Sequence, residues 1–113
     1  MYATDHWETT FDCLGDRHRR RLLFRLLNRS PDEEPMQVPG DIVPPDSDSE
    51  TVRSAFRHQH LPKLEDAGYI TWNRTTGEIS HGPRFGQVRP MLALFSERRD
   101  ELPDGLMPAP SAD

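Results

Sequence analysis

The run HLPKLEDAGYITW, His60 to Trp72, constrains this chain more than any other stretch. Leu61, Leu64 and Ala67 recur every three residues, as along one side of a helix, and Gly68 stands where helices most often stop. YITW then reads as a short β-prone segment. A helix must therefore hand over directly to a strand at Gly68. Pro62 lies inside the helical part, where it removes a hydrogen bond and crowds the preceding turn.

Read backwards, this helix starts near Asp48, because Ser47 and Glu50 fit the S-x-x-E capping box. At about 100° per residue, Val52, Phe56, His60, Leu64 and Ala67 gather on one side. Thr51, Ser54, Ala55, His58, Gln59 and Pro62 fall on the other. Pro62 is thus expected to face outward, freeing the His58 carbonyl and bending the helix there. The helix is predicted over about 50 to 67, followed by a hairpin over about 69 to 80. Tyr69–Trp72 and Glu78–Ser80 are its strands, and NRTTG its tip, with Gly77.

Upstream, Trp7, Phe11 and Leu14 repeat at i, i+4, i+7 and predict a helix from about Asp5 to Leu14, ended by Gly15. Asp16 caps a second helix reaching about Arg29, with Leu22, Leu23, Leu26 and Leu27 as its buried stripe. Pro31 stops it. Residues 30 to 50 are rich in proline and acids. There Met36 to Val38 is expected as a short strand, GDIV as at most one helical turn, and the rest as loop. A last helix is predicted from about Val88 to Leu102, with Pro90 in its permissive first turn. The domain is expected over 1–102, and 103–113 as a disordered tail.

Of the 113 residues only 34% are apolar, which allows one domain with a small core. No apolar run approaches the ~20 residues that span a bilayer, and the N-terminus lacks the layout of a secretory signal. Cys13 is the only cysteine, so no internal disulfide can form. These features fit a soluble cytoplasmic protein with no membrane partner. Acidic residues number 19 against 14 basic ones, a net charge of −5. Lys63 is the sole lysine. An acidic, lysine-poor chain is what molar intracellular salt favours, since charge keeps it soluble while salt screens its self-repulsion. The expected source is a halophilic archaeon; an acidic mesophilic protein with few lysines is the alternative.

The order helix, helix, short strand, poor helix, good helix, hairpin, helix is that of a winged helix-turn-helix: mostly α with a small β-hairpin wing, an α+β fold. HLPKLEDAGYITW resembles a recognition helix running into the wing, as in ArsR-type regulators. FDCLGDRHRRRLLFRLL resembles the opening of haloarchaeal winged-helix proteins, where H-x-H-L-P-K-L-E-D-A-G, proline included, also recurs. The resemblance covers about residues 8 to 95. It departs from the family near residues 37 to 48, where Pro39, Gly40, Pro44 and Pro45 leave room for one helical turn at most. The helix that braces the recognition helix against DNA is therefore short or remodelled. The resemblance also implies a homodimer built by terminal helices, which would use Trp7, Phe11, Met91, Leu92 and Phe95; the same residues also suit an intramolecular core.

Thr51, Ser54, His58 and Gln59 are candidates to read base edges in a major groove, Gln toward adenine for example. Arg53 and Arg57 flank them and suit phosphate or guanine. Arg74 at the hairpin tip suits the minor groove or backbone. Arg17, with Arg19, Arg20, Arg21 and Arg25, suits phosphates; alternatively these form a solvated face paired with acids. His58 and His60 point about 200° apart on a helix, so no metal site is expected, and His60 reads as a hydrogen-bonded, semi-buried residue. No phosphate loop, H-E-x-x-H or G-x-S-x-G occurs, so neither an enzyme nor a cofactor is expected. The leading expectation is a DNA-binding transcriptional regulator that binds double-stranded DNA as a dimer. The alternative is a winged helix that contacts a protein partner without binding DNA.

Overall fold

The computed structural model describes residues 3–30, 32–37 and 49–107. Helix α1 spans Ala3–Leu14 and α2 spans Arg17–Leu27. Asp16 between them behaves as its sequence context suggested. Its carboxylate accepts from the His18 and Arg19 backbone amides at 2.8 and 3.4 Å, satisfying donors that the first turn leaves orphaned. Strand β1 is Met36–Gln37. The expected capping residue Ser47, the GDIV turn, Val38 and the anticipated short helix near 37–48 fall wholly or mostly outside the described residues.

The next helical stretch has three parts: α3 (Ser49–Ala55), a π-helical turn (Phe56–His60) and α4 (Leu61–Asp66). Ala55, His60 and Leu61 all keep right-handed helical angles, so the chain is helical throughout. The Leu61 amide donates to the Phe56 carbonyl, five residues back. The irregularity expected ahead of Pro62 therefore takes the form of a π-helical turn. A widened turn before Pro62 is one way to relieve the crowding that a proline ring imposes on the preceding turn. Pro62 sits in the first turn of α4 and is half-buried.

Helix α4 ends as Gly68 requires. Gly68 takes a φ of 83°, its amide donates to Glu65 at 2.9 Å, and the Tyr69 amide donates to Leu64 at 3.1 Å. These two bonds make a Schellman motif, with buried Tyr69 over buried Leu64. Strands β2 (Ile70–Trp72) and β3 (Glu78–His81) follow. Asn73 organises their connection: its side chain accepts from the Thr75 and Thr76 amides, and its carbonyl accepts from Gly77 at 2.8 Å. The sheet is antiparallel with order β1-β3-β2; Met36 and Trp72 both pair with Ile79, from opposite sides. The fold is thus mostly helical with a small three-stranded sheet.

Helix α5 covers Phe85–Glu97, with a 3-10 turn at Arg99–Glu101. It begins three residues before the expected Val88, because buried Phe85 anchors its first turn. Pro90 therefore lies inside the helix rather than in the permissive first turn. The expected disorder from 103 onward is corrected for 103–107. Arg20 Nε donates to the Leu106 carbonyl at 2.8 Å and Met107 packs on the core. Residues 108–113 lie outside the described set.

Leu22, Leu23, Leu26, Met36, Leu64, Ile70, Ile79, Val88 and Leu92 are buried in one cluster that joins α2, the sheet, α4 and α5. The stripe on α3–α4 holds: Phe56, His60, Leu64 and Ala67 are buried, and Val52 packs against the core. Leu61, spaced with Leu64 and Ala67 along one side, is buried too, and so is Phe24, which lay on no expected stripe. No helix among the described residues is long and apolar enough to cross a membrane.

Candidate nucleic-acid interface

The widened turn gives helix 49–66 two distinct sides. Phe56 and His60 go inward, while Thr51, Arg53, Ser54, Arg57, His58 and Gln59 are all exposed. Thr51, Ser54, His58 and Gln59 line one open concavity with Glu50 and Ala55. These four were the proposed base-reading residues, and they do share a surface.

The arginines share another. Arg53 and Arg57 from the helix meet Arg74 and Trp72 from the hairpin in a cleft of about 70 Å³, with Phe56, Leu61 and Gly77 as its remaining walls. The Arg74 guanidinium lies 4.2 Å from the centre of the Trp72 ring and pairs with Glu65 at 3.1 Å. Cation–π contact and ion pairing thus hold Arg74 in place, although an exposed pair of this kind adds little stability. In a chain of net charge −5, Arg53 and Arg57, without ion-pair partners among the described residues, give this cleft a local surplus of positive charge. Such a cleft can bind an oxyanion through several N–H donors.

Trp72 was expected only as a strand residue. The alternation that buries Ile70 and exposes Thr71 turns Trp72 back toward the helix, two residues before Arg74. That spacing was the available signal. Arg17 is exposed at the start of α2 and does not line this cleft.

Arg19 and Arg20 need correction as phosphate contacts. Arg19 is only 6% exposed. It donates through Nε to the Cys13 carbonyl at 3.0 Å, through Nη2 to the Asp12 carbonyl at 3.1 Å, and through Nη1 to His60 Nδ1 at 3.0 Å. Arg20 is half-buried and holds the Leu14 and Leu106 carbonyls. Both satisfy backbone acceptors where α1 ends, including carbonyls of its last turn that have no partner within the helix.

Behind the exposed face, the junction of α1, α2 and the π-helical turn is polar. His60 is 2% exposed and hydrogen-bonded, more deeply placed than expected. Burial lowers the His60 pKa; the Asp16 carboxylate, 3.7 Å from Nε2, opposes this, while Arg19 adds to it. Burial likewise lowers His18. For Asp16 burial acts upward, but the His18 and Arg19 amides and the nearby cations outweigh it and the pKa falls. Lys63 bonds Asp12 and lowers its pKa. Burial raises the Cys13 thiol to about 11, so it stays a protonated core group. Tyr69 is raised by burial, and its hydroxyl pairs with Thr10 at 2.8 Å. No cluster of three or more His, Cys, Asp or Glu among the described residues is placed to hold a metal.

The expected dimer residues divide. Phe11 and Trp7 are 60% and 43% exposed, whereas Leu92 is fully buried and belongs to the core, a correction to its interface role. Met91 and Phe95 are half-buried against that core. Leu94, 53% exposed, is the outward apolar residue of α5, and the sequence stripe passed it over. No protein-family model, curated protein or solved structure matches the chain.

Proposed function

We propose that this chain is a winged helix-turn-helix protein that binds double-stranded DNA as a cytoplasmic transcriptional regulator in a halophilic archaeon. In this reading residues 49–66 form the recognition helix and residues 70–81 the wing. The observation that carries it is the convergence of Arg53, Arg57 and Arg74 on one cleft, beside the polar row Thr51, Ser54, His58 and Gln59. The strand order β1-β3-β2 supports it as well. The arginines would hold a phosphate and set register, and the polar row would read bases. Molar salt suppresses binding driven by counterion release. A halophilic DNA binder therefore leans on base contacts and need not be basic overall. Trp7 and Phe11, joined by Leu94, would contribute to a homodimer.

Net charge −5 and the exposed aromatics of α1 favour a second reading, a winged helix that docks a protein. Fluorescence anisotropy with a labelled random-sequence 20-base-pair duplex, over a salt series, separates the two. The DNA reading expects binding that Arg53→Ala and Arg57→Ala each weaken. Each substitution should also make the salt slope shallower by about one, since one fewer phosphate is neutralised. Absence of binding at every salt concentration favours the protein reading.

A further inference from the structure

Arginine has no hydrogen-bond acceptor. The 3.0 Å contact between Arg19 Nη1 and His60 Nδ1 therefore requires an unprotonated Nδ1. The proton of the neutral ring then sits on Nε2, the nitrogen facing Asp16 Oδ1 at 3.7 Å. His60 is also the last residue of the π-helical turn, and its ring meets Phe56, the first residue of that turn, edge-on at 5.2 Å. One imidazole thus joins the α1–α2 junction to both ends of the single irregular turn in helix 49–66.

We infer that the Arg19–His60 contact is a proton-operated latch on the π-helical turn. Protonation at Nδ1 sets two N–H donors and two positive charges against each other, with the ring almost fully buried. The contact must open. The nearest anion is Asp16, already within 3.7 Å of Nε2, so the imidazolium turns toward it. Ring and backbone are linked at the end of the turn, so Phe56–His60 shifts with the ring, and the exposed His58 and Gln59 shift with it. π-helical turns are single-turn irregularities that recur at functional sites, and here the sequence supplies a reason for one to move.

The groups facing His60 are few. From the α2 side these are Arg19, His18 with its ring centre 5.7 Å away, and Asp16. From its own helix, Lys63 is engaged with Asp12 at the end of α1. Burial and Arg19 hold His60 neutral near pH 7, and the Asp16 carboxylate limits how far its pKa falls. The latch is closed at neutral pH and opens on acidification. It does not depend on the DNA reading, since its readout is the conformation of residues 56–61.

The test is a pH titration from 8 to 5 by heteronuclear NMR of the whole chain in molar potassium chloride. The expected result is that the amides of Phe56, His60 and Leu61 move in one transition, together with the His60 ring carbons, at a midpoint below the ordinary histidine value of 6.5. His60→Asn offers an amide oxygen to Arg19 near the Nδ1 position and cannot titrate. The amides of Phe56, His60 and Leu61 should then lose that transition, while the His18 ring still titrates. Titration of the His60 ring with the 56–61 amides unmoved overturns the latch. So does movement of those amides that persists in His60→Asn. If that variant does not fold, the wild-type comparison of ring and amides decides alone.

Discussion

Arg19 and His60, 41 positions apart in sequence, meet at 3.0 Å in a region where they are 6% and 2% exposed. The same guanidinium closes the end of α1 through the Asp12 and Cys13 carbonyls. Arg19→Met should therefore strand the Cys13 carbonyl and an imidazole nitrogen, and leave the Asp12 carbonyl with only the Gly15 amide. A buried acceptor without a partner costs about 1–3 kcal/mol, so the loss should be roughly 2–4 kcal/mol in denaturant unfolding at high salt. A loss under about 0.5 kcal/mol means that water replaces the guanidinium.

His60 also sets a pH dependence. Its folded pKa lies below the ordinary value of 6.5, so around that pH the unfolded chain binds more protons than the folded one. Stability then rises with pH through this window and falls as pH drops below about 6.5, until the folded pKa is passed. His18 acts in the same direction. Asp16, lowered from 3.8, contributes stability above that value which is lost as pH falls further, through its folded pKa. Denaturant midpoints at pH 7.5, 6.5, 5.5 and 4 should therefore fall in that order. His60→Asn should flatten the first part of the series.

Gly82 should tolerate no side chain. A Cβ there would strike the Gly68 carbonyl and lie 2.6 Å from the Ile70 nitrogen and 2.7 Å from the Tyr69 carbonyl carbon. These are backbone atoms, held by bonds from Gly82 to Tyr69 and from Arg84 to Gly68. Gly82→Ala is expected to cost about 3 kcal/mol, read as a lowered thermal midpoint.

Much of this was legible from spacing. Gly68, the hairpin around Gly77 and the Asp16 cap each follow from a local rule, and local rules survive folding. The buried role of Arg19 was not legible. It stands in RHRRR, where nothing distinguishes it from its neighbours until α1 ends against it. Leu92 was misplaced for a related reason: a stripe identifies one side of a helix but not what covers it. At the candidate site, the polar row was legible from the helical wheel. The cleft was not, because it needs Trp72 and Arg74 folded against Arg53 and Arg57 by the sheet register.

Pro62→Ala tests the widened turn. The substitution restores an amide and frees the unfolded chain, which should cost up to about 1 kcal/mol. A gain in stability would mean instead that the proline strains the turn. Thermal melts in high salt distinguish these outcomes.

The two apolar surfaces should separate cleanly. Leu92→Ala removes a fully buried side chain and should cost about 2–5 kcal/mol. Phe11→Ala removes one that is 60% exposed, so it should leave monomer stability within about 0.5 kcal/mol while weakening self-association. Sedimentation velocity over a concentration series reads the second effect; an unchanged distribution removes Phe11 from the proposed interface.

Selection of bound duplexes from a random pool in molar potassium chloride tests the DNA reading most directly. The account expects one enriched motif. Gln59→Ala should relax preference at one or two of its positions by about 1–3 kcal/mol, and Arg74→Ala should weaken all sequences alike. A pool that stays random through successive rounds, with wild-type protein folded and in excess, would contradict it.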